Sequence, residues 1–179
     1  MGRISPHHLD RRIAALTALT LLLLAAACSS GVGTASDEGT QSIQNGDSEF
    51  LDPEGIQAEY QQAASELELP PGFAFPGDMG WDENGSYEQG CGVSAAQNYW
   101  KWAWITEWLE QRGVNSEREA KALDVLMNEV PESWLMTEGN DGSARQYYNM
   151  CLEKAELGDP SGFQQYLDAN SPDLIRTGE

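Results

Sequence analysis

The segment Ala95–Arg112, AAQNYWKWAWITEWLEQR, constrains the fold more than any other stretch of the chain, because four of the six tryptophans fall between Trp100 and Trp108. Indole rings bring large apolar area. A helix that concentrates them must be covered by other elements or leave a patch for a partner. No proline interrupts the segment, and Gly113 supplies a stop. Advancing about 100° per residue places Ala95, Ala96, Tyr99, Trp100 and Ala103 on one side, opposite Ser94, Gln97, Asn98 and Lys101. In the second half the pattern inverts. Trp104, Ile105, Trp108 and Leu109 fall where polar residues had been, Thr106, Glu107, Glu110 and Gln111 take the other side, and Trp102 lies between. The apolar face therefore turns by about half a circle midway. Either this is a central helix covered on opposite sides at its two ends, or Trp104, Ile105, Trp108 and Leu109, with Trp81 from the preceding loop, form a binding patch. Membrane insertion is disfavoured, since an interfacial helix carries Lys and Arg on its polar face and here Glu107 and Glu110 occupy it.

Other segments are able to cover such a helix. Asp52 and Pro53 read as an N-cap with proline at the first helical position. Ile56, Tyr60, Ala63, Ala64 and Leu67 follow at helical spacing until Pro70 and Pro71. LPPGFAFPGDMGWDENGSYEQG is a long irregular loop whose Phe73, Phe75 and Trp81 pack down over the helices. After Gly113, Ser116 and Glu119 suggest a capping box, and Leu123, Leu126, Met127 and Val130 make an apolar stripe ended by Pro131. A short turn or helix carries Trp134, Leu135 and Met136. A helix over 143–157 aligns Ala144, Tyr147, Tyr148, Cys151 and Ala155. Asp159 and Pro160 open a last one with Phe163, Tyr166 and Leu167. Nothing reads as a strand. The expected fold is all-α, a small bundle of four to six helices around the Trp-rich helix, with the long aromatic loop before it.

The chain ahead of this domain reads as an address. Arg3, Arg11 and Arg12 precede the apolar run Ile13–Ala27, which is the length of a signal-peptide core and short for a spanning helix. AAAC, ending at Cys28, resembles the lipobox of bacterial lipoproteins, with Ala25 where leucine is usual. The resemblance implies that Cys28 becomes the lipidated N-terminus, several acyl chains holding the protein to the cell membrane on its extracytoplasmic face. A plain secretory signal cleaved nearby is the alternative. Residues 1–27 are thus a lipoprotein signal peptide. Residues 28–49, rich in Gly, Ser, Thr and acids, are a flexible tether, and residues 50–179 are the helical domain.

Composition removes several functions. Of 29 acids and 10 bases, one acid (Asp10) and three bases lie in the leader, leaving 28 acids against 7 bases, a net charge of −21. That opposes nucleic-acid binding, which requires a basic footprint. It suits solubility and self-repulsion, or a cationic partner. Both histidines, His7 and His8, are in the leader. Histidine-based catalytic triads, His-ligated zinc and imidazole acid–base chemistry are therefore excluded from the mature chain. No nucleophile elbow, phosphate-binding loop or paired metal motif is present; carboxylate-pair hydrolysis stays open in principle to a chain so rich in acids, but no enzyme, cofactor or metal is expected. Gly80–Cys91 can be laid on a calcium loop, with Asp82, Asn84, Gly85 and Glu88 in register, but Gly80 and Cys91 stand where the strongest ligands belong. Cys91 and Cys151, in an exported and oxidising setting, are expected to form a disulfide closing a loop of about 60 residues, worth about 4 kcal/mol.

LPPGFAFP followed by YEQGCGVSAAQNYWKWAWITEWL also resembles a pattern in exported actinobacterial proteins of unassigned function. The matching residues are Leu69, Pro70, Gly72 and Pro76, then Ala96, Tyr99, Trp100, Ala103, Trp104, Trp108 and Leu109. Trp102 stands where that pattern often has cysteine. The resemblance implies a common fold and brings no activity. Together these features describe a lipid-anchored extracytoplasmic helical domain with an interaction or envelope-associated role and a protein partner. The alternative is a small-ligand or cation-binding surface lipoprotein.

Overall fold

The computed structural model describes residues 50–140, 142–170 and 172–177. The expected leader, the expected tether and Cys28, the expected lipidation site, lie outside the described residues. Six α-helices form the bundle: α1 (Pro53–Ser65), α2 (Cys91–Gln111), α3 (Ser116–Asp124), α4 (Trp134–Thr137), α5 (Gly142–Glu156) and α6 (Ser161–Asn170). All but α5 pack directly on α2, and α5 packs on α6. The Trp helix is thus the central post.

α1 starts as its sequence dictates. Asp52 is extended, its carboxylate accepts from the Gly55 amide at 2.7 Å, and Pro53 takes the first turn. Ile56 and Tyr60, one turn apart, are buried against α2. The two helices touch at Gly92, where a Cβ would stand 2.7 Å from both Ile56 O and Tyr60 N. α2 has no side-chain cap of its own, because Gly90, at φ 92°, occupies the cap position. α1 supplies one instead: the Glu59 carboxylate accepts from the amides of Gly90 and Gly92, both at 2.8 Å. It thereby places negative charge at the positive end of the α2 dipole.

α3 begins one residue earlier than the capping-box spacing implies. Asn115, not Ser116, is the cap, accepting from Glu117 N and Arg118 N, and Glu119 reaches back to Gly113 N. Asn115 has the extended backbone a cap requires, while Ser116 is already helical. Val125–Glu129 then forms a π-turn closed by Val130 N on Val125 O at 3.0 Å. The inserted residue resets the helical phase, so Val125, Leu126 and Val130 are buried and Met127 turns outward. On α5, Ala144 is likewise exposed while Tyr148, Cys151 and Ala155 are buried.

Strands exist where none were expected. β1 (Phe50–Leu51) pairs antiparallel with β3 (Tyr87–Glu88), and β2 (Phe73–Ala74) pairs with β4 (Ile175–Arg176). Two-residue ladders carry too little alternation to be read from sequence. The long loop is consequently well fixed. Tyr60 Oη donates to Pro76 O at 3.0 Å, and Gln57 bonds Gly77 O and the Trp81 indole. Trp100 and Trp104 both donate their indole N–H to Glu68 O, at 2.9 and 3.0 Å. Tyr99 Oη donates to Ala74 O and accepts from Ile175 N, both at 2.7 Å. Tyr99, Trp100 and Trp104 thus join the Trp helix to the proline–glycine loop that precedes it.

Candidate functional site

The four residues of the expected binding patch are not at the surface. Trp104 and Trp108 are 3% and 1% exposed, Ile105 is fully buried and Leu109 is half-buried in the same core. α3 and α6 provide the cover. Lys121 of α3 stands over the Trp104 ring, and Phe163 of α6 meets Trp108 edge-on at 5.7 Å. Trp81 lies apart from them, half-buried, its indole N–H 2.8 Å from Gln57 Oε1 and its ring edge-on to Tyr87. The aromatic docking patch is therefore excluded, and the rings are core.

The apparent inversion of α2 has a different origin. Its buried residues include Lys101, 1% exposed, and Glu107, 1% exposed. Seven residues bring a helix back to within about 20° of its starting direction. Glu107 therefore lies under the stripe of Trp100 and Ala103, and Lys101 lies above Trp108. The buried arc is wide along the whole helix, and two charged residues are set inside it. The sequence contained the signal: each stripe, extended by a turn past its midpoint, passes through one of these charges.

Glu107 is compensated. Arg118 of α3 forks onto it, Nε to Oε1 at 2.6 Å and a terminal nitrogen to Oε2 at 2.9 Å, while the same guanidinium bonds Pro71 O at 3.4 Å. Lys101 has one acceptor, Asn98 Oδ1 at 2.8 Å, and burial pulls its amine down to about 7.

The Cys91–Cys151 disulfide is not formed. Cys151 is a free thiol, buried where α5 crosses α6, its Cα 2.9 Å from the position of a Cβ on Gly162. Cys91 begins α2 at the crossing with α1. Burial pushes the Cys151 thiol up, so it stays protonated and inert at neutral pH.

The remaining cations are also committed within the fold. Arg112 bonds Gly158 O and covers the Trp108 ring. Arg176 pairs with Glu110 and lies 3.8 Å from the Phe73 centroid. Lys121 pairs with Glu129, Arg145 bonds Thr137 O, and Lys154 bonds Ser161. The acids, by contrast, are exposed almost throughout. Among the described residues, two small clefts stand out on this surface. One, of about 220 Å³ between α1 and α2, is lined by Glu59, Glu66 and Gln97. The other, of about 200 Å³ at the start of α2, is lined by Glu88, Ser94, Asn98 and Trp134. Neither contains Trp81, Trp104 or Trp108. Among the described residues no group of three or more His, Cys, Asp or Glu side chains is placed to hold a metal. Asp82, from the calcium-like loop, instead accepts from Asn84 N in a local turn. Comparison of the chain with protein-family models, curated proteins and solved structures returned no match.

Proposed function

We propose that the protein is a lipid-anchored extracytoplasmic domain, without catalytic activity, that holds a basic protein partner at the envelope through its acidic surface. The observation that carries this reading is the commitment of all seven cations of the mature chain to intramolecular contacts, which leaves the carboxylates facing solvent. Such a surface repels nucleic acid and anionic lipid, and attracts positively charged proteins from a distance. The lipobox-like AAAC at Cys28 and the Gly-, Ser- and acid-rich stretch that follows it support the location.

The small-ligand alternative has less support. Clefts of about 220 and 200 Å³ fall below the roughly 300–1,000 Å³ of ordinary ligand pockets, and neither is lined by Trp81, Trp104 or Trp108.

Chemical crosslinking on intact cells, followed by capture of the full chain, tests the proposal. A basic protein whose uncrosslinked association disappears as salt rises toward about 1 M is the expected outcome. Association that survives high salt would mean an apolar contact and would overturn it.

A further inference from the structure

Lys101 serves none of the roles described so far. An ammonium has three donors, and this one meets a single acceptor, the Asn98 carboxamide. The other side of Nζ is aromatic. It stands 5.3 Å from the centroid of the Tyr166 ring, which is stacked on Tyr147 and edge-on to Tyr148. No ion pair among the described residues includes Lys101. The ionisable groups on this side are Tyr166 from α6 and Tyr147, Tyr148 and Cys151 from α5, all held neutral by burial. α4 carries none. α1 commits Glu59 to the amides of Gly90 and Gly92, α3 commits Glu119 to Gly113, and the π-turn commits Glu129 to Lys121. Glu107, on α2 itself, belongs to Arg118.

We propose that Lys101 makes the seating of α6 on α2 proton-sensitive, so that a proton taken up by this amine loosens Ser161–Asn170 from the bundle. α6 is held by Phe163 against Trp108 and Tyr148 and by Tyr166 against Tyr147. The amine lies directly beneath that contact. A neutral amine is accommodated there with one hydrogen bond, whereas an ammonium leaves two donors without an acceptor, offset only by the face of the Tyr166 ring. Lifting α6 returns the amine to water, where its ordinary pKa is about 10.4. The open state then binds the proton from about pH 10 downward, and the closed state only below about 7. Opening therefore becomes easier as pH falls through that window and levels off beneath it. No imidazole competes, since both histidines precede residue 9.

Amide hydrogen exchange over 161–170 in the full chain, corrected for intrinsic exchange, reads the opening directly. The opening constant should rise roughly 10–100-fold from pH 9 to pH 6.5, and Lys101→Met should flatten the response. A flat wild-type profile, or an unchanged profile in Lys101→Met, overturns the proposal. Should Lys101→Met fail to fold, NMR titration of the Lys101 side chain in the wild-type protein decides. A midpoint near 7 supports the switch, and one above about 9 overturns it.

Discussion

Glu107 and Lys101 are buried on the same helix, six residues apart, and the fold treats them in opposite ways. Glu107 receives a two-pronged guanidinium from Arg118, whereas Lys101 receives one neutral amide oxygen. Breaking a buried pair strands a charge. Arg118→Ala should therefore destabilise by about 3–5 kcal/mol in urea unfolding, far more than loss of a surface arginine. A value under about 1 kcal/mol, the range of exposed pairs, would mean that Glu107 reaches water. The indoles make a parallel test. Trp104→Ala and Trp108→Ala should each cost about 3–5 kcal/mol, and Trp104→Ala additionally leaves the Glu68 carbonyl with one donor where it had two. Near-neutral values for either would contradict the observed burial.

At the level of elements, the helices that announce themselves by cap and period were legible. α1 shows its Asp-Pro start and its Ile56–Tyr60 spacing, α2 its uninterrupted ring-bearing run, and α6 its Asp159 start. What escaped depends on distant partners. The two-residue ladders are set by residues up to about a hundred positions apart, and no local alternation marks them. The cap of α2 comes from Glu59, more than thirty residues upstream, so its start carries no local cap signal beyond glycine. The π-turn shifts one apolar stripe by a residue, which sends Met127 outward and cannot be told from a regular helix by spacing alone. The candidate patch failed for a related reason: whether an apolar face is covered depends on where α3 and α6 land. Gly92 illustrates how tightly such landings are specified. Its missing Cβ makes room for backbone atoms of α1, which cannot move aside as a side chain would. Gly92→Ala should cost about 1–3 kcal/mol by overpacking and should also weaken the Glu59 cap. Thermal unfolding of the variant measures the effect, and an unchanged midpoint would show that the α1–α2 crossing is loose.

The whole molecule carries its charge unevenly, with cations used internally and anions outside. Self-repulsion among exposed carboxylates opposes compaction, and salt screens it over about 10 Å at 0.1 M. The melting temperature should accordingly climb as sodium chloride is raised from about 0.01 to 0.5 M. A falling midpoint would indicate that the internal ion pairs outweigh the repulsion. Anchoring belongs to this scale too. Palmitate labelling of the cells that make the protein should depend on Cys28, and labelling that persists in Cys28→Ala would defeat the lipoprotein proposal.

The Tyr99 hydroxyl bridges Ala74 and Ile175, and this has a consequence for biosynthesis. A chain synthesised from its N-terminus delivers the described helices and the aromatic loop first. β4, the final described strand, arrives when nearly all of the domain has already emerged. Until then the phenol has lost its donor from Ile175, Phe73 has no strand partner and Arg176 cannot reach Glu110. The last turn of the lock is therefore made by Ile175 and Arg176, and a chain stopped short of Ile175 would carry every described helix and still be unlatched.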